Sequence, residues 1–108
     1  MLVPNILREK GEETMPYVLV RHTVKDPDKW KALFEQGGAA RQAGGARDSW
    51  LFHNVNDPND LLILFQWDNL EHANQFIQSE DLPQWLQQAG VTDLLDVAFL
   101  EGGEHTPG

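Results

Sequence analysis

Four short runs rich in β-branched and aromatic residues predict strands between residues 15 and 101. They alternate with two stretches in which apolar residues recur every three or four positions, the spacing of amphipathic helices. The predicted order is therefore β-α-β-β-α-β, with the second helix in two pieces. The predicted strands are Tyr17–Val24, Asp48–Val55, Leu61–Trp67 and Leu94–Leu100.

The first helix has clear start and stop signals. Asp26 is a good N-cap residue, and Pro27 suits the first helical position because its fixed backbone angle is already helical. We expect this helix to reach Ala43 and to stop at Gly44–Gly45, with a local irregularity at Gly37.

The second helical stretch follows a predicted hairpin. Asn56–Asp60 consists of turn-favouring residues and is short enough to join two antiparallel strands. Asp68 and Glu71 have capping-box spacing, which predicts Asp68 as the N-cap of the next helix. A further helical piece is predicted over Ser79–Gly90.

This order of elements is the split βαβ, or ferredoxin-like, arrangement of the α+β class. Right-handed crossovers place the first strand between the third and the fourth, which gives a four-stranded antiparallel sheet of order 4-1-3-2. Both helices then cover one face of the sheet, and the other face stays open.

The third predicted strand is apolar on both of its faces. Leu61, Ile63, Phe65 and Trp67 alternate with Leu62, Leu64 and Gln66, a pattern typical of a sheet that is covered on both sides. The helices provide one cover. Because an open apolar face of several hundred Å² is unusual on a monomer, we expect a homodimer packed through the open sheet face.

The ends of the chain lack these patterns. Residues 1–14 are polar after a short apolar start and are predicted to be a flexible N-terminal extension. Residues 102–108 are rich in Gly and Pro and are predicted to be a flexible tail, so the folded domain is expected over residues 15–101.

Composition and charge remove several classes of function. The chain of 108 residues has no Cys and a net charge of −9, and all eight Lys and Arg residues lie at or before Arg47. Thiolate chemistry is therefore excluded, and nucleic acids and anionic membranes are poor partners. The longest apolar run, Leu61–Phe65, is too short to span a bilayer, and the expected location is the cytoplasm.

Five segments of the chain together resemble a known group of proteins. The segments are Tyr17–Trp30, Leu51–Asn54, Asp57–Asn59, Leu64–Asp68 and Phe99–Glu101. They resemble the dimeric α/β-barrel superfamily, and within it the proteins related to antibiotic biosynthesis monooxygenases that are often called cyclase-like. The resemblance covers nearly all of residues 15–101 and implies a pocket in each subunit between the sheet and the helices, with the other sheet face forming a dimer. It leaves the activity open, since the superfamily includes cofactor-free monooxygenases, polyketide cyclases and haem-degrading enzymes.

Two histidines are candidate catalytic residues. His22 interrupts a face of the first strand that otherwise carries only valines, so a neutral imidazole is expected in an apolar pocket. His53 lies two strands away, at roughly 10 Å, from which it could bracket a small ring. Either histidine can instead be a structural residue bonded to a neighbour. In some cyclases of the superfamily a first-strand histidine is catalytic, which favours His22.

Four further residues are candidate substrate-binding groups. Trp67 ends the third strand and, with Trp50, could line a pocket for an aromatic ring. Gln66 could orient a substrate carbonyl or face a dimer partner, and Arg41 could meet an anionic group or remain solvated.

No metal or cofactor is expected from the motifs. His22, His53, His72, Asp68 and Glu71 include no local pair with metal-ligand spacing. The haem-degrading relatives carry an Asn on the first strand, which Tyr17–Val24 lacks, and no nucleotide-binding or serine-hydrolase motif is present.

The sequence thus predicts a small cofactor-independent monooxygenase or cyclase that acts on an aromatic or polyketide-like molecule. In this hypothesis His22 handles a phenolic or enolic proton, and Trp67 helps to hold the ring. The alternative is a non-catalytic homodimer that binds a small hydrophobic ligand or another protein.

Overall fold

The computed structural model describes residues 15–108. The predicted N-terminal extension, residues 1–14, lies outside the described residues. Four strands and four helices follow in the order β1 (Tyr17–Val24), α1 (Pro27–Gln36), α2 (Gly38–Ala43), β2 (Ala46–Asn54), β3 (Asp57–Trp67), α3 (Leu70–Ile77), α4 (Leu82–Gln88) and β4 (Val91–Leu100).

The strands form one antiparallel sheet of order β2-β3-β1-β4. This is the predicted ferredoxin-like topology, since 4-1-3-2 describes the same sheet from the other edge. The two central strands, β1 and β3, pair with Val20 opposite Ile63 and His22 opposite Leu61. The α+β fold class is therefore confirmed.

Alternation along the central strands determines which side chains enter the core. The face of β1 that carries Val18, Val20, His22 and Val24 is buried throughout. Its partner face on β3 is buried too, and the helices pack against both. The core contains Val18, Val20, Val24, Trp30, Ala46, Leu61, Ile63, Phe65, Trp67, Ala73 and Ala89.

The first helix begins and breaks where the sequence predicts. The Asp26 carboxylate accepts hydrogen bonds from the backbone N–H of Asp28 and of Lys29, at 3.1 and 3.2 Å, and Pro27 is the first helical residue. At Gly37 the helix is interrupted, and α2 continues to Ala43.

The β2–β3 hairpin differs from the prediction. The turn is Val55–Asn56, and Asp57–Asp60 belongs to β3 rather than to the loop. Asn54 accepts a hydrogen bond from the backbone N–H of Asn56 at 2.8 Å, which stabilises the tighter turn. A register shift next to this turn accommodates Pro58, which has no N–H to donate to a ladder.

The start of α3 also differs. Its N-cap is Asn69, whose side chain accepts from the backbone N–H of His72 at 2.8 Å. Asp68, the predicted N-cap, binds the ring of His72 instead. The capping-box prediction was therefore wrong by one residue, because the carboxylate of Asp68 contacts the His72 ring rather than the backbone N–H groups at the start of the helix.

Among residues 15–108, none of the helices has the length and apolar character that a membrane span requires. Residues 101–108 form neither helix nor strand and are exposed. The flexibility predicted for the tail remains a prediction.

Candidate functional site

His22 is buried under the helices and has no hydrogen-bond partner. Its side chain is 2% exposed, and neither Nδ1 nor Nε2 bonds to any group among the described residues. Burial disfavours the charged imidazolium and lowers the pKa of His22 to about 4. The imidazole is therefore neutral at physiological pH and retains one donor and one acceptor for a ligand or water.

This histidine lines a cavity of about 760 Å³ between the sheet and the helices. The walls come from β1, β3, β4 and all four helices and are mostly apolar. The volume is within the range of pockets that hold small organic ligands. Among the side chains that line it are His22, Trp30, Arg41, Trp67 and His72.

Aromatic rings form a large part of the wall. Trp30 stacks on Phe34 with centroids 4.8 Å apart and presents an edge-to-face contact to His22 at 5.4 Å. Trp67 packs on Phe76 with centroids 5.1 Å apart. The Nε1 atoms of Trp30 and Trp67 are buried and have no hydrogen-bond partner within residues 15–108. Because buried indole N–H groups usually find an acceptor, the cavity has unmet hydrogen-bonding capacity on two tryptophans as well as on His22.

Arg41 is a cation in this wall. Its Nη2 donates to the backbone carbonyl of Phe34 at 2.6 Å, and its Cζ lies 3.9 Å from the centroid of the Phe34 ring. A Cβ at position 37 would lie 2.8 Å from Nη1, so Gly37 leaves the room that the guanidinium occupies. Burial lowers the pKa of Arg41. Among residues 15–108 no carboxylate lies within ion-pair distance of it.

A second histidine reaches the cavity from α3. The Nδ1 atom of His72 lies 2.9 Å and 3.0 Å from the two carboxylate oxygens of Asp68. This hydrogen bond is the main cause that lowers the pKa of Asp68, and the positive charge of Arg47 is a smaller contribution. His72 is not among the catalytic candidates predicted from the sequence. It lies four residues after Asp68, which is the spacing of side chains that meet on one face of a helix.

The structure brings three of the six predicted site residues together, namely His22, Trp67 and Arg41. Trp50 and Gln66 lie on the open face, where Trp50 contacts Tyr17 with centroids 6.2 Å apart and Gln66 donates to the Tyr17 hydroxyl at 3.3 Å. His53 is exposed on the edge strand and does not line the cavity. Catalytic or binding roles for these six residues remain predictions.

Metal-ligating side chains do not cluster in the part of the chain that the structure describes. No group of three or more His, Asp or Glu residues with suitable geometry occurs there. His72 and Asp68 pair with each other, and Glu71 and His53 are exposed.

The sequence of the chain is similar to part of a curated protein. No model of a protein family matches the chain. A curated protein of Haloarcula marismortui, named a "putative heme-binding protein", is 35% identical over 48 residues. That match covers 44% of this chain and only 7% of the relative, which is a much longer protein.

Solved structures give a clearer result for the fold. A "putative antibiotic biosynthesis monooxygenase" from Bordetella bronchiseptica superposes with a TM-score of 0.69 at 14% identity, covering 83% of this chain and 98% of the other. SnoaB, a cofactor-independent oxygenase from Streptomyces nogalater, superposes with a TM-score of 0.66 at 11% identity, covering 88% and 98%. These identities are too low to transfer an activity. The chain therefore shares its fold with these antibiotic biosynthesis monooxygenase-like proteins, as the resemblance in its sequence predicts.

Proposed function

We propose that the protein is a cofactor-independent oxygenase or cyclase that acts on an aromatic or polyketide-like molecule in the cavity between sheet and helices. The observation that carries this proposal is the neutral, buried imidazole of His22, which has two unpartnered nitrogens in an apolar cavity wall. A group of this kind can bind the phenolic or enolic hydroxyl of a ring that the surrounding aromatic side chains hold.

The apolar walls suit such a reaction because they keep water away from a reactive anion. Loss of a proton from the substrate leaves an enolate or a carbanion. In the oxygenase reaction a ring CH₂ group and O₂ give a carbonyl and water: one oxygen atom enters the carbonyl, and the other leaves as water with the two hydrogens. In the cyclase reaction the enolate adds to a carbonyl of the same molecule, and no oxidant is needed.

The positive charge of Arg41 favours a substrate that carries an acidic group. Its guanidinium uses one donor on the Phe34 carbonyl, so other N–H groups remain for a carboxylate or phenolate at the cavity wall. The fold relation to SnoaB, a cofactor-independent oxygenase, is in keeping with a reaction of this class.

The test is oxygen consumption with 1,8-dihydroxyanthrone, an aromatic molecule that carries phenolic hydroxyls and an acidic CH₂ group. We expect the wild type to accelerate oxygen uptake above the spontaneous rate and His22→Ala to lose roughly 100-fold or more of that acceleration. His105→Ala removes an exposed histidine of the tail, outside the cavity, and should leave the rate unchanged. Ligand-induced thermal stabilisation should persist in His22→Ala, since the aromatic walls remain.

The same experiment separates the alternatives. Conversion of a polyketide acid without oxygen uptake would identify a cyclase. Thermal stabilisation without conversion of any probe would identify the non-catalytic ligand-binding protein and contradict the enzyme hypothesis. Equal rates in wild type and His22→Ala would remove the catalytic role of His22.

Haem is a second ligand to test, because the haloarchaeal relative is named for it. The neutral imidazole of His22 fits a haem ligand in its chemistry, since histidine is a common axial ligand of haem iron. Bound haem would supply a redox-active iron. A hemin titration decides this: a shifted Soret band in the wild type that His22→Ala abolishes would favour haem, and unchanged spectra would argue against it.

We also propose that the open sheet face binds a second copy of the chain. This face exposes large apolar side chains: Trp50 is 41% exposed, Phe52 is 53% exposed and Leu100 is 43% exposed. Half-buried Leu19, Leu62 and Leu64 lie between them on the central strands. Such a patch is typical of a subunit interface, and a homodimer would cover it.

A further inference from the structure

The second imidazole of the cavity wall, His72, has the carboxylate partner that His22 lacks. His72 lies in the first turn of α3, and its Nδ1 bonds to both oxygens of Asp68 at 2.9 and 3.0 Å. Its side chain is 39% exposed, and that of Asp68 is 23% exposed. The pair therefore lies where the cavity meets solvent, whereas His22 lies deep within it.

The backbone around this pair holds it in place. The backbone N–H of Asp68 donates to the carbonyl of Gly45 at 2.9 Å, and Asn69 caps the helix through the backbone N–H of His72. Gly45 has a φ of 116°, and a Cβ there would lie 2.5 Å from Asp68 Oδ1 and 2.7 Å from His72 Nδ1. Only glycine combines that backbone angle with room for both side chains.

The chemistry of the two groups determines which ring nitrogen is free. An ionised carboxylate only accepts hydrogen bonds, so Nδ1 of His72 carries the hydrogen of this contact, and in the neutral imidazole the lone pair is then on Nε2. Arg47, whose charge acts on Asp68, favours the ionised carboxylate. Among the described residues no group bonds to Nε2 of His72, which leaves it as a proton acceptor.

Proton transfer would have different consequences at the two histidines. A proton on His22 would create a buried cation that, among the described residues, has no ion-pair partner. A proton on Nε2 of His72 would create an imidazolium that Asp68 already contacts, and the ion pair would stabilise the charge. Of the two imidazoles in the wall, His72 is the one that contacts a carboxylate able to stabilise an added proton.

We propose that His72 is the catalytic base, that Asp68 is its positioning residue, and that His22 stays neutral and hydrogen-bonds the substrate. This proposal rests on the proposed function. In the step, the substrate hydroxyl breaks its O–H bond, the proton forms an N–H bond at Nε2, and the electron pair remains on the substrate as a phenolate or enolate. Asp68 stays ionised throughout.

Two measurements test this assignment. The first is the imidazole tautomer in the ligand-free protein, from long-range ¹H–¹⁵N NMR correlations. We expect the Nδ1–H tautomer for His72 and the Nε2–H tautomer, which free imidazole prefers, for exposed His53. In Asp68→Asn the amide NH₂ can donate to Nδ1, so His72 should change to the Nε2–H tautomer. An Nε2–H tautomer in the wild type would overturn the proposal.

The second measurement is turnover of 1,8-dihydroxyanthrone. We expect His72→Gln and Asp68→Asn each to lower kcat about 100-fold or more with KM within about threefold, and His105→Gln, in the exposed tail, to match the wild type. Rapid turnover by wild type and His72→Gln alike would overturn the base assignment while the proposed function stands. An inactive wild type that has the expected tautomer would overturn the proposed function, and the base role with it.

Discussion

Arg21 and His22 are neighbours on β1, yet they lie on opposite faces of the sheet and differ in whether their polar atoms have partners. Arg21, on the open face, forms a two-bond ion pair with Asp60, with Nε–Oδ1 3.0 Å and Nη2–Oδ2 2.7 Å. His22, under the helices, has no partner at either nitrogen. The open face thus pairs its arginine and leaves large apolar side chains uncovered. The helix face covers its apolar side chains and leaves polar atoms unsatisfied.

This contrast indicates what each face can bind. An apolar surface whose arginine already has a carboxylate partner suits another apolar surface, because that arginine does not have to be desolvated alone. A cavity with a few unsatisfied donors and acceptors suits a small molecule that supplies the missing hydrogen bonds. One sheet can therefore serve assembly on one side and ligand binding on the other.

The largest expected effect compares a tryptophan from each face. Trp30 is 1% exposed and packs on Phe34, Trp85 and His22, whereas Trp50 is 41% exposed. We expect Trp30→Ala to lower the free energy of unfolding by about 3–5 kcal/mol, because it removes a buried ring and leaves a void. Trp50→Ala should cost about 1 kcal/mol or less. Urea unfolding monitored by circular dichroism measures both.

Two precautions make this comparison decisive. Measurements at the lowest usable protein concentration keep subunit association from adding to the apparent stability of the Trp50 site. Trp30→Phe should fall between the wild type and Trp30→Ala, which covers the case in which the alanine variant does not fold. Equal losses for Trp30→Ala and Trp50→Ala would contradict the distinction between a packed face and an uncovered one.

The topology and the buried strand face could be predicted because local patterns determine them. Alternation along β1 predicted that Val18, Val20, His22 and Val24 share one face, and all four are buried. Asp26 and Pro27 predicted the start of α1 because a cap and a fixed φ are local devices. His22 and Trp67 followed from the same alternation, which placed both on the helix-covered face.

The errors arose where a specific side-chain partner overrides the local preference. Asp60 favours a turn by composition, but Arg21 holds it from a strand 39 residues away, so the loop becomes strand. Asp68 has the sequence position of a cap, but the His72 ring takes its carboxylate. His72 was missed as a catalytic candidate because its role depends on the cavity, which alternation and propensity do not describe.

The second expected effect concerns the open face. Leu64 is half-buried on a central strand, opposite Leu19 of β1 and Trp50 of β2. If two copies pair through this face, Leu64→Glu buries an unpartnered carboxylate and should weaken the dimer roughly 100-fold or more. Sedimentation equilibrium at micromolar concentration should detect a dimer for the wild type and a monomer for the variant.

Gln88→Glu provides the charge control, because it adds the same carboxylate to an exposed position on α4. It should leave the association unchanged. A monomeric wild type would remove the proposed interface, and a Leu64→Glu variant that still dimerises would place the interface elsewhere on the molecule.

The smallest expected effect is the response of the two faces to acid. Burial lowers the pKa of His22 to about 4 from 6.5, so between these values the unfolded chain binds the proton more readily than the folded chain. The contribution of neutral His22 to stability is therefore complete above about pH 6.5 and declines as the pH falls towards 4. We expect a loss of roughly 1–3 kcal/mol over this window, nearer the lower value if water in the cavity screens the imidazolium.

On the open face, the hydrogen bonds from Arg21 and Asn54 to Asp60 lower the pKa of that carboxyl to about 2 from 3.8. The contribution of the ionised Asp60 carboxylate to stability is complete above about pH 4 and is lost only as the pH falls towards 2. The pH ranges in which His22 and Asp60 affect stability therefore hardly overlap. Urea unfolding at about pH 7.5, 5, 4 and 2.5 separates them. His22→Gln should remove the loss of stability between about pH 6.5 and 4. Asp60→Asn should remove only the loss between about pH 4 and 2. If the loss of stability between about pH 6.5 and 4 persists in His22→Gln, the wild-type imidazole is not held neutral. The contrast between the two faces of β1 would then not hold at His22.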